Sequence, residues 1–172
     1  MTRLARRSTA CSTGGYPELQ EIFGRAPFGL RNYWSGRFLR ELPDDAVERA
    51  VGLFDDPGVE GGVLLEPLYG AAARVPAHAT AFAGREAQYN ATFIGMWADP
   101  ADDGRNVATA RAFSAGLEPW SLGGGYLNYA SEPAGDSLET EYGAVRFQRL
   151  RAVKRRVDPT NLFRFNHNIA PE

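Results

Sequence analysis

Between Gly123 and Tyr129 the chain reads GGGYLNY, which sets a phenol, a carboxamide and a second phenol within four residues. If the run is a short strand, Tyr126 and Asn128 share one face, while Leu127 and Tyr129 point the other way. A phenol beside an amide can hydrogen-bond a planar heterocycle or take the proton of a substrate hydroxyl. As a base it must ionise more readily than free tyrosine, whose pKa is about 10. The same residues also describe an aromatic strand packed in a core, its hydroxyls bonded to backbone. On the residues alone both readings stand.

Other chemistries are poorly represented. The glycine run lacks the spacing of a dinucleotide or nucleotide-triphosphate loop, and no helix opens directly behind it, so it reads as a bend. Ser121 and Ser131 have no nucleophile-elbow context. The single cysteine, Cys11, excludes an internal disulfide, and His78 and His167 lie far apart, so no metal site is expected. Net charge is −2, which argues against nucleic acid as a partner. The cations from Arg146 to Arg156 read as a solvated face that complements a helix C-terminus. No apolar run approaches the roughly 18 residues of a membrane span. The basic start (Arg3, Arg6, Arg7) is not followed by the apolar stretch of a secretory signal, so a cytoplasmic location is expected.

The elements that must position these groups follow from periodicity and punctuation. Residues 1–15 read as a disordered leader. Arg31–Leu39 is aromatic-rich and bounded by turns, hence a strand. Pro43-Asp44-Asp45 opens a helix whose buried face would carry Val47, Ala50, Val51 and Phe54. Val63–Glu66 reads as a buried strand with a turn at Tyr69-Gly70, residues 74–87 as a surface loop, and Gln88–Trp97 as the clearest strand. Asp99-Pro100 caps a helix running to about Gly116, with Val107, Ala110 or Arg111, and Leu117 facing inward. One further helix spans about Thr140–Val157, with Tyr142, Val145, Leu150, Val153 and Val157 on one side. At 172 residues this makes one α+β core, helices packed on one face of an antiparallel sheet.

As a set, these residues resemble the C-terminal signature of the berberine bridge enzyme-like, FAD-linked oxidoreductases. The signature comprises YLNY, Tyr142-Gly143, Arg149-Leu150 with Lys154, DPTNLF from Asp158, and Asn166-His167-Asn168-Ile169; upstream, Tyr33-Trp34, LEPLYGAAARVP and the strand ending at Trp97 agree in order. The resemblance runs over about residues 16–171. It implies a substrate-binding lobe (16–122) and a C-terminal segment (123–172) that closes on a lobe carrying FAD. In such enzymes substrate hydride passes to the flavin, and dioxygen or another acceptor reoxidises it.

Residue by residue, the resemblance makes Tyr126 the catalytic base and places Asn128 and Tyr129 against the flavin. Glu66 in LEPLYG matches an acidic base that precedes a Pro-Tyr-Gly-Gly turn, although here the turn reads Pro67-Leu68-Tyr69-Gly70. Asn166 and Asn168 match tail amides that help hold the cofactor lobe, and Tyr69 and Trp97 fall in the substrate pocket. The departure is length: these residues contain no glycine-rich diphosphate segment and no flavinylation pair. The chain by itself is therefore expected to bind FAD weakly or not at all. The expected partners are a small-molecule substrate and a separate FAD-binding lobe or a second copy, with neither nucleic acid nor membrane. The alternative is a non-catalytic α+β interaction module.

Overall fold

The computed structural model describes residues 15–17, 29–132 and 138–171. The chain divides into two compact units, 1–30 and 31–172. Most of the first unit, including the expected leader up to residue 14, lies outside the described residues. The second unit holds a three-stranded antiparallel sheet of order β1-β3-β2, with β1 Arg31–Leu39, β2 Gly61–Pro67 and β3 Tyr89–Trp97. Two helices, α1 Asp44–Gly52 and α2 Asp103–Gly116, contribute to the core on one face of it. This is the α+β arrangement read from the sequence.

Both strand pairs are in register through β3: Arg31 faces Trp97, Leu39 faces Tyr89, Gly61 faces Gly95 and Pro67 faces Tyr89. Alternation along each strand then sorts the side chains onto two faces. Leu39, Ala91 and Phe93 turn towards the helices and join Ala46, Ala110, Phe113 and Leu117 in the buried core. Phe93 lies between the rings of Phe54 (6.1 Å) and Phe113 (5.9 Å). Burying each such ring contributes on the order of 2 kcal/mol. Trp97 belongs to this core, 3% exposed, with its indole N–H donated to Asp103 Oδ1 at 2.7 Å.

Helix details depart from periodicity. In α1 the buried residue is Ala46, and Val47 and Val51 are partly exposed. Only Ala50 and, just past the helix, Phe54 of the expected face pack on the core. Asp99 caps the next segment, its side chain accepting the Ala101 N–H, and a turn of 3-10 helix at Pro100–Asp102 precedes α2. The inward residues of α2 are Asn106, Ala110, Phe113 and Ser114, and Arg111 is exposed. Of the two alternatives at this turn Ala110 faces inward, and Arg111 points out to pair with Glu132 at 2.6 Å.

The expected helix over 140–157 is broken. Residues Leu138–Tyr142 form α3, Gly143 takes φ +75°, and Ala144–Val157 form α4. Positive φ is cheap only for glycine, so Gly143 ends one helix and lets the next start at a new angle. The break separates Tyr142 from the rest of the expected stripe, and on α4 itself Val145, Val153 and Val157 are exposed. The basic face is also more than solvated. Arg146 donates to the Ala77 carbonyl and Arg149 to the His78 carbonyl, so α4 grips the 74–87 loop by its backbone.

Past α4, the Asp158 carboxylate receives the N–H groups of Leu162 (2.8 Å) and Phe163 (3.1 Å) and pairs with Lys154, whose ammonium also donates to the Phe163 carbonyl at 2.6 Å. The Lys154 hydrogen bond first, then the two backbone N–H groups, hold the Asp158 carboxyl below the usual carboxylate range. A depressed folded-state pKa means that this stabilisation is present above the unfolded value, about 4, and is lost as pH falls through the folded one. Protection of the Leu162 and Phe163 amides against hydrogen exchange is thus expected to fall between about pH 6 and about pH 3. In Asp158→Asn it should already be low at the upper pH. Equal protection in both proteins there would show that the carboxylate does not hold the tail.

Candidate functional site

The face of the sheet turned away from α1 and α2 carries three rungs. They run Phe38–Asn90–Glu66, Gly36–Thr92–Leu64 and Trp34–Ile94–Gly62 across β1, β3 and β2. Asn90 is 2% exposed and donates Nδ2–H to Glu66 Oε2 at 2.8 Å. A buried amide paired with a carboxylate is a charge-assisted bond, worth more than a neutral one.

The segment after α2 runs along the outer edge of β1. Leu122 N–H bonds Phe38 O (2.9 Å), Phe38 N–H bonds Gly124 O (3.1 Å), and further along Ser131 N–H bonds Trp34 O (2.9 Å). Gly124 and Ser131 are seven residues apart, whereas their partners Phe38 and Trp34 are four apart, so the intervening chain has to arch away from the edge. The arch is the YLNY stretch. The expected strand is instead a turn of 3-10 helix at Leu127–Tyr129, closed by Tyr129 N–H to Tyr126 O at 2.8 Å. Glycine is required where the arch lifts off. A Cβ on Gly125 would lie 2.6 Å from the Gly36 carbonyl oxygen, and one on Gly124 (φ +61°) 2.6 Å from Glu141 Oε2.

The arch brings together most of the residues singled out by sequence. Asn128 Nδ2–H donates to the Tyr126 phenol oxygen at 2.8 Å, so the amide and phenol do sit side by side, through a turn rather than a pleat. The Tyr129 ring packs edge-on against Tyr126 (4.8 Å) and Trp34 (5.8 Å), and its hydroxyl donates to Glu66 Oε1 at 3.4 Å. Tyr129 thereby spans the sheet from β1 to β2. Burial first, then the Glu66 charge, pushes the Tyr129 phenol above its ordinary value. The exit of the arch is pinned by Tyr33, which donates to Glu132 at 2.7 Å, and by Arg111 on the same carboxylate.

Two clefts flank the arch. One is a cavity of about 250 Å³ walled by Phe38, Phe82, Tyr126 and Tyr142, with Asn128 and Glu141 as its polar side chains. The other is an open groove of about 810 Å³ between Leu127–Glu132 and the tail residues Phe165, Asn166 and His167. Leu127 and Asn128 border both. Asn166 adopts φ +55° and lines the groove. The Oδ1 atoms of Asn168 and Asn161 are buried with no hydrogen-bond partner among the described residues. A buried acceptor left unpaired costs about 1–3 kcal/mol, which makes it a ready site for a donor.

Two of the sequence-derived residues are not part of this cluster. Trp97 sits in the helix-side core, seven residues along β3 from Asn90, or about 23 Å at strand rise. Tyr69 is 72% exposed in the turn after β2. Three residues were given no role in the sequence: Asn90, Phe82 (which belongs to the segment Ala79-Thr80-Ala81-Phe82 that shares in the resemblance) and Glu141. Phe82 lies edge-on to both Phe38 (5.6 Å) and Tyr126 (5.7 Å), with the Arg85 guanidinium 4.9 Å from its ring. Two polar residues at alternate positions, Asn90 and Thr92, at the start of an otherwise apolar strand are a signal for Asn90; nothing local marks the other two, since their neighbours come from distant elements.

Comparison with known proteins bears on the family and the fold. Residues 125–170 match the family model described as berberine and berberine like. The uncharacterized FAD-linked oxidoreductases YvdP and YgaK of Bacillus subtilis (strain 168) are 29% and 32% identical over 138 and 139 residues, each alignment covering 80% of this chain. The chain spans about 30% of the length of these relatives. Among solved structures, aclacinomycin oxidoreductase superposes with a TM-score of 0.75 over 94% of this chain and 37% of its own, at 23% identity. Among the described residues no helix is long and apolar enough to cross a membrane.

The bond between Tyr129 and Glu66 is directly testable. In Glu66→Gln the carboxylate charge is gone, so Tyr129 is expected to ionise at lower pH while burial keeps it above free tyrosine. Spectrophotometric phenol titration of the two proteins reads this out. Superimposable curves would separate Glu66 from Tyr129.

Proposed function

We propose that this chain, which carries the C-terminal part of a berberine bridge enzyme-like protein, forms the substrate side of an FAD-dependent oxidase acting on an alcohol, a sugar hemiacetal or a similar C–H/O–H substrate. The observation that carries the reading is the Asn128–Tyr126 bond at the edge of the aromatic cavity. Tyr126 would take the proton of the substrate hydroxyl. The Asn128 N–H already points at the phenol oxygen and supports negative charge there as the proton moves. Phe38, Phe82 and Tyr142 form aromatic walls beside it. FAD, when bound, supplies the hydride acceptor.

The residues present fit a flavin on the groove side. Asn128 and Asn166 offer amide groups there, and the Tyr129 ring packs edge-on against Tyr126 at 4.8 Å. Glu66 does not line the cavity, and both of its oxygens already accept hydrogen bonds, from Asn90 and Tyr129. Its place in this reading is to hold the arch from below, with Tyr126 as the base. The flavin itself would be held mainly by a separate lobe. Leu162, Phe163 and Phe165 are 66%, 77% and 84% exposed, an apolar tail surface suited to docking such a lobe.

Co-expression of this chain with the flavin-binding part of one of the Bacillus relatives tests the proposal. A yellow complex with oxidase turnover is expected. Tyr126→Phe should retain the flavin and lose about two to four orders of magnitude in kcat. Unchanged turnover would remove Tyr126 from the chemistry, and a chain that neither associates with a flavin lobe nor responds to flavin would instead be an interaction module.

A further inference from the structure

The two edges of the sheet differ. Residues 121–131 bond the outer edge of β1 at Leu39, Phe38 and Trp34. β2 forms the opposite edge. Its pairing with β3 begins with Met96 N–H on the Glu60 carbonyl (3.1 Å) and ends with Leu68 N–H on the Gln88 carbonyl (2.8 Å). Antiparallel pairing alternates, so Gly62, Leu64 and Glu66, in phase with those two residues, address β3. Gly61, Val63 and Leu65 therefore turn their N–H and C=O groups outward, and among the described residues no backbone bond reaches them there. Natural edges are guarded by charges, prolines or bulges. Here Glu66 is turned to the other face, on Asn90 and Tyr129, and Pro67 stands at the very end of the strand.

The same two residues leave an apolar surface uncovered. Val63 and Leu65 lie across from Phe93 and Ala91, on the helix side of the sheet, yet are 38% and 41% exposed. Val47 and Val51 of α1 are as open. Together with Phe54 and Phe113 they line a hollow of about 200 Å³ whose walls are apolar side chains alone.

We propose that β2 is a docking edge for an extended segment from the part of a berberine-like protein that this chain does not match. The segment adds a fourth strand to the sheet and sets apolar side chains, at alternate positions, into the hollow. The occupant follows from length. This chain spans about 30% of YvdP and YgaK and 37% of aclacinomycin oxidoreductase, so most of each lies outside the matched region. The β1 edge is already engaged, so a strand from that remainder can extend this sheet only at β2. The outward groups from Gly61 to Leu65 set a short ladder, which stops at Pro67 for want of an N–H. Strand addition of this kind draws affinity from main-chain bonds and selectivity from alternate side chains. The inference rests on the reading of this chain as one side of a larger oxidase, and adds that the other side supplies sheet as well as flavin.

The test pairs the full 172-residue chain with the part of YvdP outside the matched segment, and reads amide hydrogen exchange residue by residue. In the chain alone Leu64 and Glu66 are expected to be protected, and Val63 and Leu65 to exchange freely. In the complex Val63 and Leu65 should gain about tenfold or more in protection. Val63→Lys and Leu65→Lys should each weaken association about tenfold or more, with Leu64 protection showing that the sheet is intact. Association that leaves both amides free, or that tolerates both lysines, overturns the proposal, as does absence of association. So does protection of the two amides in the chain alone: if it rises with concentration the edge pairs with a second copy, and if it does not, the chain itself covers the edge. If a lysine variant does not fold, the exchange pattern of the unaltered pair decides alone. Should Tyr126→Phe leave oxidase turnover intact while Val63 and Leu65 are protected, the proton-transfer reading fails and the fourth strand stands.

Discussion

The arch at Tyr126 depends on how the outer edge of β1 is paired. An exposed strand edge is a row of unsatisfied N–H and C=O groups. Here Ser121, Leu122 and Gly124 satisfy the edge at Leu39 and Phe38, and Ser131 satisfies it at Trp34. Because more chain lies between these ties than strand, the excess has one direction to go, over the sheet face that α1 and α2 leave free. Tyr126, Asn128 and Tyr129 are held there by backbone bonds made elsewhere, which leaves their side chains for other work.

That division of labour explains the two faces of the sheet. One is an apolar core in which Phe93, Phe113 and Leu117 exclude water. The other carries Asn90 and Glu66 on one rung, Thr92 on the next and Trp34 at the far end. A half-polar face is tolerable because its groups pair with each other or with the arch: Glu66 takes donors from both Asn90 and Tyr129. Trp34 Nε1 and Asn90 Oδ1 remain buried without partners among the described residues, on the same face.

Much of this was legible in the residues. Arg31–Leu39 and the strand ending at Trp97 stood out because aromatic and β-branched residues ran between turn signals. The bend at Gly123–Gly125 followed from composition, and so did the neighbourhood of Tyr126 and Asn128. What was not legible came from tertiary constraint. The YLNY stretch has good strand residues, but a strand needs a partner, and the β1 edge was already engaged on both sides of it. Tyr142 and Val145 fit one helical stripe until Gly143 is seen at φ +75°, a choice that composition alone does not force. Trp97 reads as a pocket aromatic, yet its face of β3 is fixed by register with β1. The roles of Phe82 and Glu141 depend on which distant elements meet, information that no local window contains.

The contacts of α4 with the 74–87 loop carry one more consequence. Arg146 and Arg149 donate to the carbonyls of Ala77 and His78. A carbonyl is present whatever amino acid stands at the position. The loop can therefore exchange its side chains over evolutionary time without loosening its anchor, in a way that an ion pair to a loop carboxylate would not permit. Phe82, which walls the cavity, rides on this loop. Drift in cavity shape is thus uncoupled from drift in loop position, and the scaffold can explore new ligands while the backbone around them stays where the arginines put it.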